Sequence, residues 1–223
     1  MNELPLFGLM VWATLTGLDL AGVLQGLLNR PLVAGGIAGV IIGDPASGLA
    51  IGGALELFAL DVLPVGSVRY PDYGAATVAA VAYGAWQPWA QALGPSVLLG
   101  LLLGYLGGWS VVLHRRVNAM VLRRYSERLD RGDEGIATRL HLSGIGSDLL
   151  RSALLPLVGL GAVTLLLQLP RLDVLTSQAL TTVAVAGGVL ATVGGALRRA
   201  GTPQRMLWFS GGLAAGLLSL VLR

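Results

Sequence analysis

Polar positions cut this chain into a series of apolar blocks. Residues 4–26 form the first block, interrupted by Asp19. Residues 31–43 (PLVAGGIAGVIIG) are apolar throughout but short, whereas a spanning helix needs about 20 residues. They predict a broken or re-entrant helix, whose backbone polar groups must be satisfied inside protein or along a cavity. Residues 46–66 follow at once and contain Glu56 and Asp61. A polar break at 67–74, with Pro71, precedes two predicted spans at 74–93 and 95–113, divided at Gly94 and Pro95. Trp86 and Trp89 stand near the end of the first of these, where interfacial aromatics usually sit. Residues 149–169 predict another span, kinked or broken at Pro156. Residues 174–197 and 206–222 predict the last two, around a short turn with Arg198, Arg199 and Arg205. No strict repeat and no linker divides the chain, so 1–223 reads as a single transmembrane domain.

Composition sharpens this picture. The chain is 54% hydrophobic and only 12% charged, against about 25% charged in soluble domains. Its 33 glycines would weaken soluble helices. Inside a bilayer, small residues let helix backbones approach closely. The expected class is an all-α integral membrane protein, a multi-span glycine-rich helix bundle with broken or re-entrant helices. The first apolar block follows Glu3 instead of a basic stretch and runs on to Gly26, so it reads as a retained span, not a cleaved signal.

Charge is unevenly placed. Residues 114–141 hold seven arginines and four acidic residues, and the positive-inside rule puts this segment in the cytoplasm as a charged loop. Within it, 114–131 has helical apolar spacing compatible with lying at the membrane surface. The net charge of +3 is too small and too local to argue for nucleic acid. Cysteine is absent, which excludes disulfides and thiolate metal sites. All basic residues are arginine.

Ionisable residues within apolar blocks carry the functional argument, because a charge at the bilayer centre costs at least about 2.5–3.5 kcal/mol. Glu56 sits ten residues into its block and is expected near the midplane. Two polar breaks, Gly43-Asp44-Pro45 and Arg69-Tyr70-Pro71-Asp72, bracket it. Transporters build polar sites from such interrupted helices. Carboxylates there suit sugar hydroxyls, and Tyr70 or Tyr73 suits the face of a sugar ring. Structural alternatives stand beside each assignment. Asp44 also fits a helix cap, Asp61 an interface, and Arg30 a snorkelling anchor. Asp19 is open between the two kinds of role. His114 and His141 fit a solvated segment. No nucleotide-binding loop, zinc-protease motif, nucleophile elbow or paired metal-ligand spacing is present. The chain therefore reads as a non-enzyme without cofactor or metal, any associated chemistry belonging to another chain.

The run Arg30-Pro31-Leu32-Val33, then Gly43-Asp44, then Gly48 to Glu56 (GLAIGGALE), Gly66 and Pro71-Asp72 resembles the IIC component of mannose/fructose/sorbose-family phosphotransferase systems. The resemblance continues more faintly through HLSGIGSDLLRSALLPLVG at 141–159 and the basic turn at 198–199. It implies a sugar-translocating subunit in the bacterial inner membrane, paired with a IID membrane subunit. Soluble IIA and IIB proteins would supply the phosphoryl group to a hexose or amino sugar. It further implies an elevator-type carrier and a trimer of IIC–IID pairs. The implied sugar site comprises Glu56, Asp72, Gly66, Ser67, Gln25, Arg30 and Asp44. The chain departs from the pattern in ending directly after a span, in Gln25 and Asn29 before Arg30 where acidic residues are common, and in Arg69 and Tyr70. Two other readings compete: a transport-inactive scaffold or sensor of the same fold, and a carrier working alone.

Overall fold

The computed structural model describes residues 3–22, 26–61, 69–200 and 202–221. Every element among them is helical: α1 (Glu3–Ala21), α2 (Pro31–Ile42), α3 (Pro45–Ala59), α4 (Tyr73–Gly84), α5 (Trp89–Arg124), α6 (Ser126–Asp130), α7 (Glu134–Leu166), α8 (Val174–Ala200) and α9 (Pro203–Val221). Among the described residues, three helices are long and apolar enough to cross a membrane: α5, α7 and the Val174–Arg198 part of α8. Shorter apolar helices cover 5–20, 31–42 and 45–59. The chain is a multi-pass membrane protein of the class read from its sequence.

The short helices α2 and α3 form a hairpin. Gly43, at φ +89°, closes α2 in the left-handed conformation that glycine adopts without strain. Asp44 then caps α3, its side chain accepting from Ser47 N–H at 3.1 Å, and Pro45 opens the helix. The two helices touch through backbone. A Cβ at Gly39 would stand 2.7 Å from the Asp44 carbonyl, and one at Gly48 would be 2.7 Å from Gly39 Cα. Glycine at both faces is what lets this broken pair pack so tightly. The 31–43 segment is thus one arm of a hairpin that turns back within the bundle.

α4 is the centre. Ala, Gly, Val and Thr cover it on all sides and nearly every residue is buried. Around it pack α1, α2, α3, α5 and α7. Leu9, Trp12, Ile51, Leu55, Val78, Val81 and Val97 fill the main core, and the Trp12 indole N–H donates to Ala34 C=O at 2.9 Å. Farther out, α8 packs on α5 and α3, and α9 touches α8. Both carry long apolar side chains on open faces, including Leu175, Val183, Leu190, Leu207 and Trp208.

Two boundaries differ from the sequence expectation. The break after α4 falls at 85–88, and α5 runs straight through Gly94 and Pro95. Gly94 packs against the backbone of α8, and its N–H donates to Thr181 Oγ1 at 3.0 Å, so the locally weak first turns are held from outside. α7 likewise continues through Pro156, which is itself buried. The charged 114–141 segment is mostly helix, in line with its apolar spacing over 114–131 and continuing beyond it. α5 continues to Arg124, α6 makes the turn and α7 starts at Glu134, so a helical hairpin extends past the apolar spans. Asp133 caps α7, accepting from Ile136 N–H at 3.0 Å, and also takes two hydrogen bonds from Arg128.

Candidate functional site

The α2–α3 hairpin decides where Glu56 lies. α3 ends at Ala59, too short to span, so Glu56 sits in its last turn and not at mid-span. Because α3 runs back along α2, that turn meets the start of α2. The Arg30 guanidinium donates to Glu56 Oε1, and Leu32 N–H donates to Oε2 at 3.2 Å. The carboxylate therefore also caps the positive end of α2. Both side chains are mostly buried, with 19% of Arg30 and 16% of Glu56 exposed, so the pair is sheltered yet reachable.

The chain leading into α2 is fixed by Asp19, a buried residue of α1. Its carboxylate accepts from the N–H groups of Gly26 and Asn29. A group the sequence left open between roles thus organises the approach to Arg30. Behind the pair, Tyr70 is buried, its ring edge-on to Tyr73 with centroids 5.5 Å apart. Tyr70 lies within electrostatic reach of Arg30, Glu56 and Asp72.

Asp72 has no exposed surface. Its N–H donates to Gly104 C=O at 2.9 Å, locking the α4 N-terminus onto α5. One carboxylate oxygen accepts from Arg151 Nη1 at 3.1 Å. The same guanidinium donates to Asp148 Oδ1 at 2.9 Å, to Gly17 C=O at 3.0 Å and to Ser152 Oγ at 3.1 Å. One arginine thus ties α7 to α1 and α4. Asp72 Oδ1 and Asp148 Oδ2 have no partner among the described residues, although both are buried.

The predicted site residues therefore fall into groups. Arg30 and Glu56 come together directly, whereas Asp72 is held by Arg151. Asp44 stands at the closed end of the hairpin, about 18 Å along α3 from Glu56 at 1.5 Å per residue. Gln25, Gly66 and Ser67 lie outside the described residues. Asp61 pairs with Arg198 of α8. Arg151 and Asp148 were missed. Their signal was available: two opposite charges three apart in GIGSDLLRSALLP, at the edge of an apolar block, form an i,i+3 pair on one helix face. No group of three or more His, Cys, Asp or Glu side chains that could hold a metal is found among the described residues.

The chain is 27% identical over 203 residues to the fructose permease IIC component of Bacillus subtilis (strain 168), covering 88% of this chain and 72% of that protein. It is 28% identical over 200 residues to the sorbose-specific EIIC component of Klebsiella pneumoniae, covering 87% and 73%. To the mannose-specific EIIC component of Escherichia coli (strain K12) it is 25% identical over 173 residues, covering 76% and 63%. Two solved structures share the fold at 19% identity, each over 100% of this chain and 94% of the other. One is described as a membrane protein, with a TM-score of 0.72. The second is the mannose transporter ManYZ in complex with microcin E492, with a TM-score of 0.53. The family described as the PTS system sorbose-specific IIC component matches residues 5–210, and the chain belongs to that family of phosphotransferase-system sugar permease subunits.

Proposed function

We propose that this chain is the sugar-translocating subunit of a mannose-family phosphotransferase system, working as one unit over 1–223 in a bacterial inner membrane. The Arg30–Glu56 pair at the open end of the α2–α3 hairpin carries the reading. A carboxylate offers acceptors and a guanidinium offers donors, so together they complement vicinal hydroxyls. Tyr70, with an apolar ring face, and Asp72, with a further acceptor, are both buried and join the site only if the bundle opens around them during transport. Gly66 belongs to the same proposed site by the motif that resembles the family's, and Gln25 and Ser67 are included as polar residues that stand close to that motif along the chain. Asp44 takes part only if the hairpin end moves toward the sugar during transport.

The partners follow from the family. A IID subunit covers part of the apolar outer surface, soluble IIA and IIB carry the phosphoryl group, and three IIC–IID pairs assemble. The sugar is a hexose or amino sugar, in keeping with relatives named for fructose, sorbose and mannose. Its phosphorylation takes place on IIB.

The test is uptake of labelled fructose, sorbose, mannose and glucosamine in cells carrying the full system, normalised to protein in the membrane. A charged hydrogen bond contributes about 1.5–3 kcal/mol, so Glu56→Gln should lower uptake per molecule roughly tenfold to a hundredfold. Normal uptake per molecule would remove Glu56 from the sugar site.

A further inference from the structure

Where the apolar part of α5 gives way to its charged end, a groove of about 400 Å³ opens on the outside of the bundle. Tyr105, Trp109, Val112 and Arg116 line it from α5, and Arg69, Tyr70 and Pro71 line it from the polar break before α4. Spaced four, three and four residues apart, the α5 side chains share one helix face. Gly108 lets the two walls meet: a Cβ there would stand 2.9 Å from the Tyr70 carbonyl oxygen and 3.1 Å from Pro71 Cα. That close approach carries Arg69 over the Trp109 ring, its guanidinium carbon 5.9 Å from the ring centroid, within cation–π range.

Two cations border this groove and no carboxylate does. Among the described residues, neither Arg69 nor Arg116 belongs to an ion pair, unlike Arg30, Arg128, Arg151 and Arg198. Both are exposed. Arg116 stands two turns beyond Trp109 on the same face, about 10 Å along the axis. Both side chains are long enough to converge on an anion seated over Val112, and a guanidinium offers a phosphate two parallel hydrogen bonds. Away from the charged end, exposed Leu102 and Leu98 continue the α5 stripe into the apolar span.

The groove therefore has cations without counter-charge at one end, aromatic rings in the middle and a leucine track at the other. Trp109, with 70% of its surface exposed, marks the level: tryptophan and tyrosine collect at the membrane–water boundary, where phospholipid phosphates also lie. The positive-inside rule puts this end of α5 on the cytoplasmic side, where basic pockets between helices take anionic headgroups. A soluble anion would leave the leucine track unused. A partner helix would need acidic side chains opposite both arginines, whereas the bilayer supplies phosphate at that level wherever the groove is open.

We propose that this groove binds one anionic phospholipid, its phosphate between Arg69 and Arg116 and an acyl chain along Tyr105, Leu102 and Leu98. A lipid held there fastens the break at 69–71 to α5, beside the start of α4. The inference does not depend on the reading of Glu56 as a sugar ligand.

The test uses the full chain, purified with its membrane partner in neutral detergent and washed free of native lipid. It is given an equimolar mixture of phosphatidylglycerol and phosphatidylcholine with identical acyl chains, and native mass spectrometry counts the adducts of each. Phosphatidylglycerol should be retained several-fold over phosphatidylcholine. Arg69→Gln and Arg116→Gln should each lower that preference roughly fivefold. Arg139→Gln, which removes an exposed charge of α7 outside the groove, should leave it unchanged. Equal retention of the two lipids would overturn the proposal, as would an unaltered preference in the groove variants or an equal loss in Arg139→Gln. Millimolar inorganic phosphate should not displace the lipid; displacement would make the groove a site for a free anion and overturn the lipid assignment. A second measurement leaves both arginines in place. Phosphatidylglycerol brominated in its acyl chains should quench more tryptophan emission than brominated phosphatidylcholine, and Trp109→Phe should remove that excess. An excess that persists in Trp109→Phe would put the lipid elsewhere and overturn the proposal.

Discussion

This bundle holds two charged clusters, and they are built differently. Arg30 and Glu56 form a neutral pair, one cation to one carboxylate, partly reachable and reinforced by the α2 N-terminus. Arg151 serves two carboxylates, is anchored to α1 through Gly17 C=O, and is nearly inaccessible. The first joins two short helices at a hairpin opening, where a ligand can compete for its hydrogen bonds. The second joins long and central helices whose separation would expose the core. An intramembrane charge alone therefore does not mark a binding site. What distinguishes a site from a lock is whether the charges balance, whether solvent or ligand reaches them, and how many elements depend on them.

The largest effect should come from breaking the lock. Arg151→Met leaves two buried carboxylates without their cation, and losing one partner of a buried pair costs about 3–5 kcal/mol. Protein in the membrane should fall sharply, and thermal unfolding in detergent should shift down. Asp148→Asn should be far milder on both readings, because the remaining Asp72–Arg151 pair is balanced.

The hairpin pair should respond in a different way. Arg30→Met alone strands Glu56, while Arg30→Met with Glu56→Met removes both charges. The double variant should regain protein level relative to the single one but not uptake. Recovery of both would assign the pair a structural role only. The hydrogen bond at issue is worth about 1.5–3 kcal/mol.

The glycine contact beneath the pair can be loosened without touching a charge. Gly48→Ala places a methyl group against the Gly35 carbonyl and the Gly39 backbone. Overpacking of this kind costs about 1–3 kcal/mol. Reduced thermal stability and reduced uptake should appear together, since the hairpin sets the position of Glu56 relative to Arg30.

The smallest effect lies at the tip of the charged hairpin. Hydrogen bonds from Arg128 and from Ile136 N–H hold the Asp133 carboxyl below its ordinary value of 3.8. A carboxylate whose pKa is lowered on folding stabilises the fold above its ordinary value, and that contribution fades as pH falls through the folded value. Asp133→Asn should thus lower the unfolding temperature slightly at neutral pH, and the difference should close under acid conditions. The site is exposed, so salt should shrink the effect too.

Much of this molecule was legible from pattern. The 31–43 block is too short to span and too apolar to be a loop, and it forms α2. Gly43-Asp44-Pro45 reads as stop, cap and start, and each residue does that. The apolar excess and the glycines required a membrane bundle. Local rules failed where a distant element supplied what the local sequence lacked. Pro95 and Gly94 look like a boundary, yet Thr181 of α8 supports the helix through them. Glu56 and its cation, Arg30, lie far apart in sequence and are brought together only by the hairpin.

The sequence by itself determined the class of the protein, its glycine-mediated packing and its family, because composition, block length and motif order are local properties. Only the tertiary structure decided which charges meet. A buried carboxylate will take whatever donor the packing brings within reach, and that depends on helix crossings that no local pattern encodes. Asp72 and Glu56 look alike along the chain, yet one is bound to Arg151 of α7 and the other to Arg30 at the head of α2.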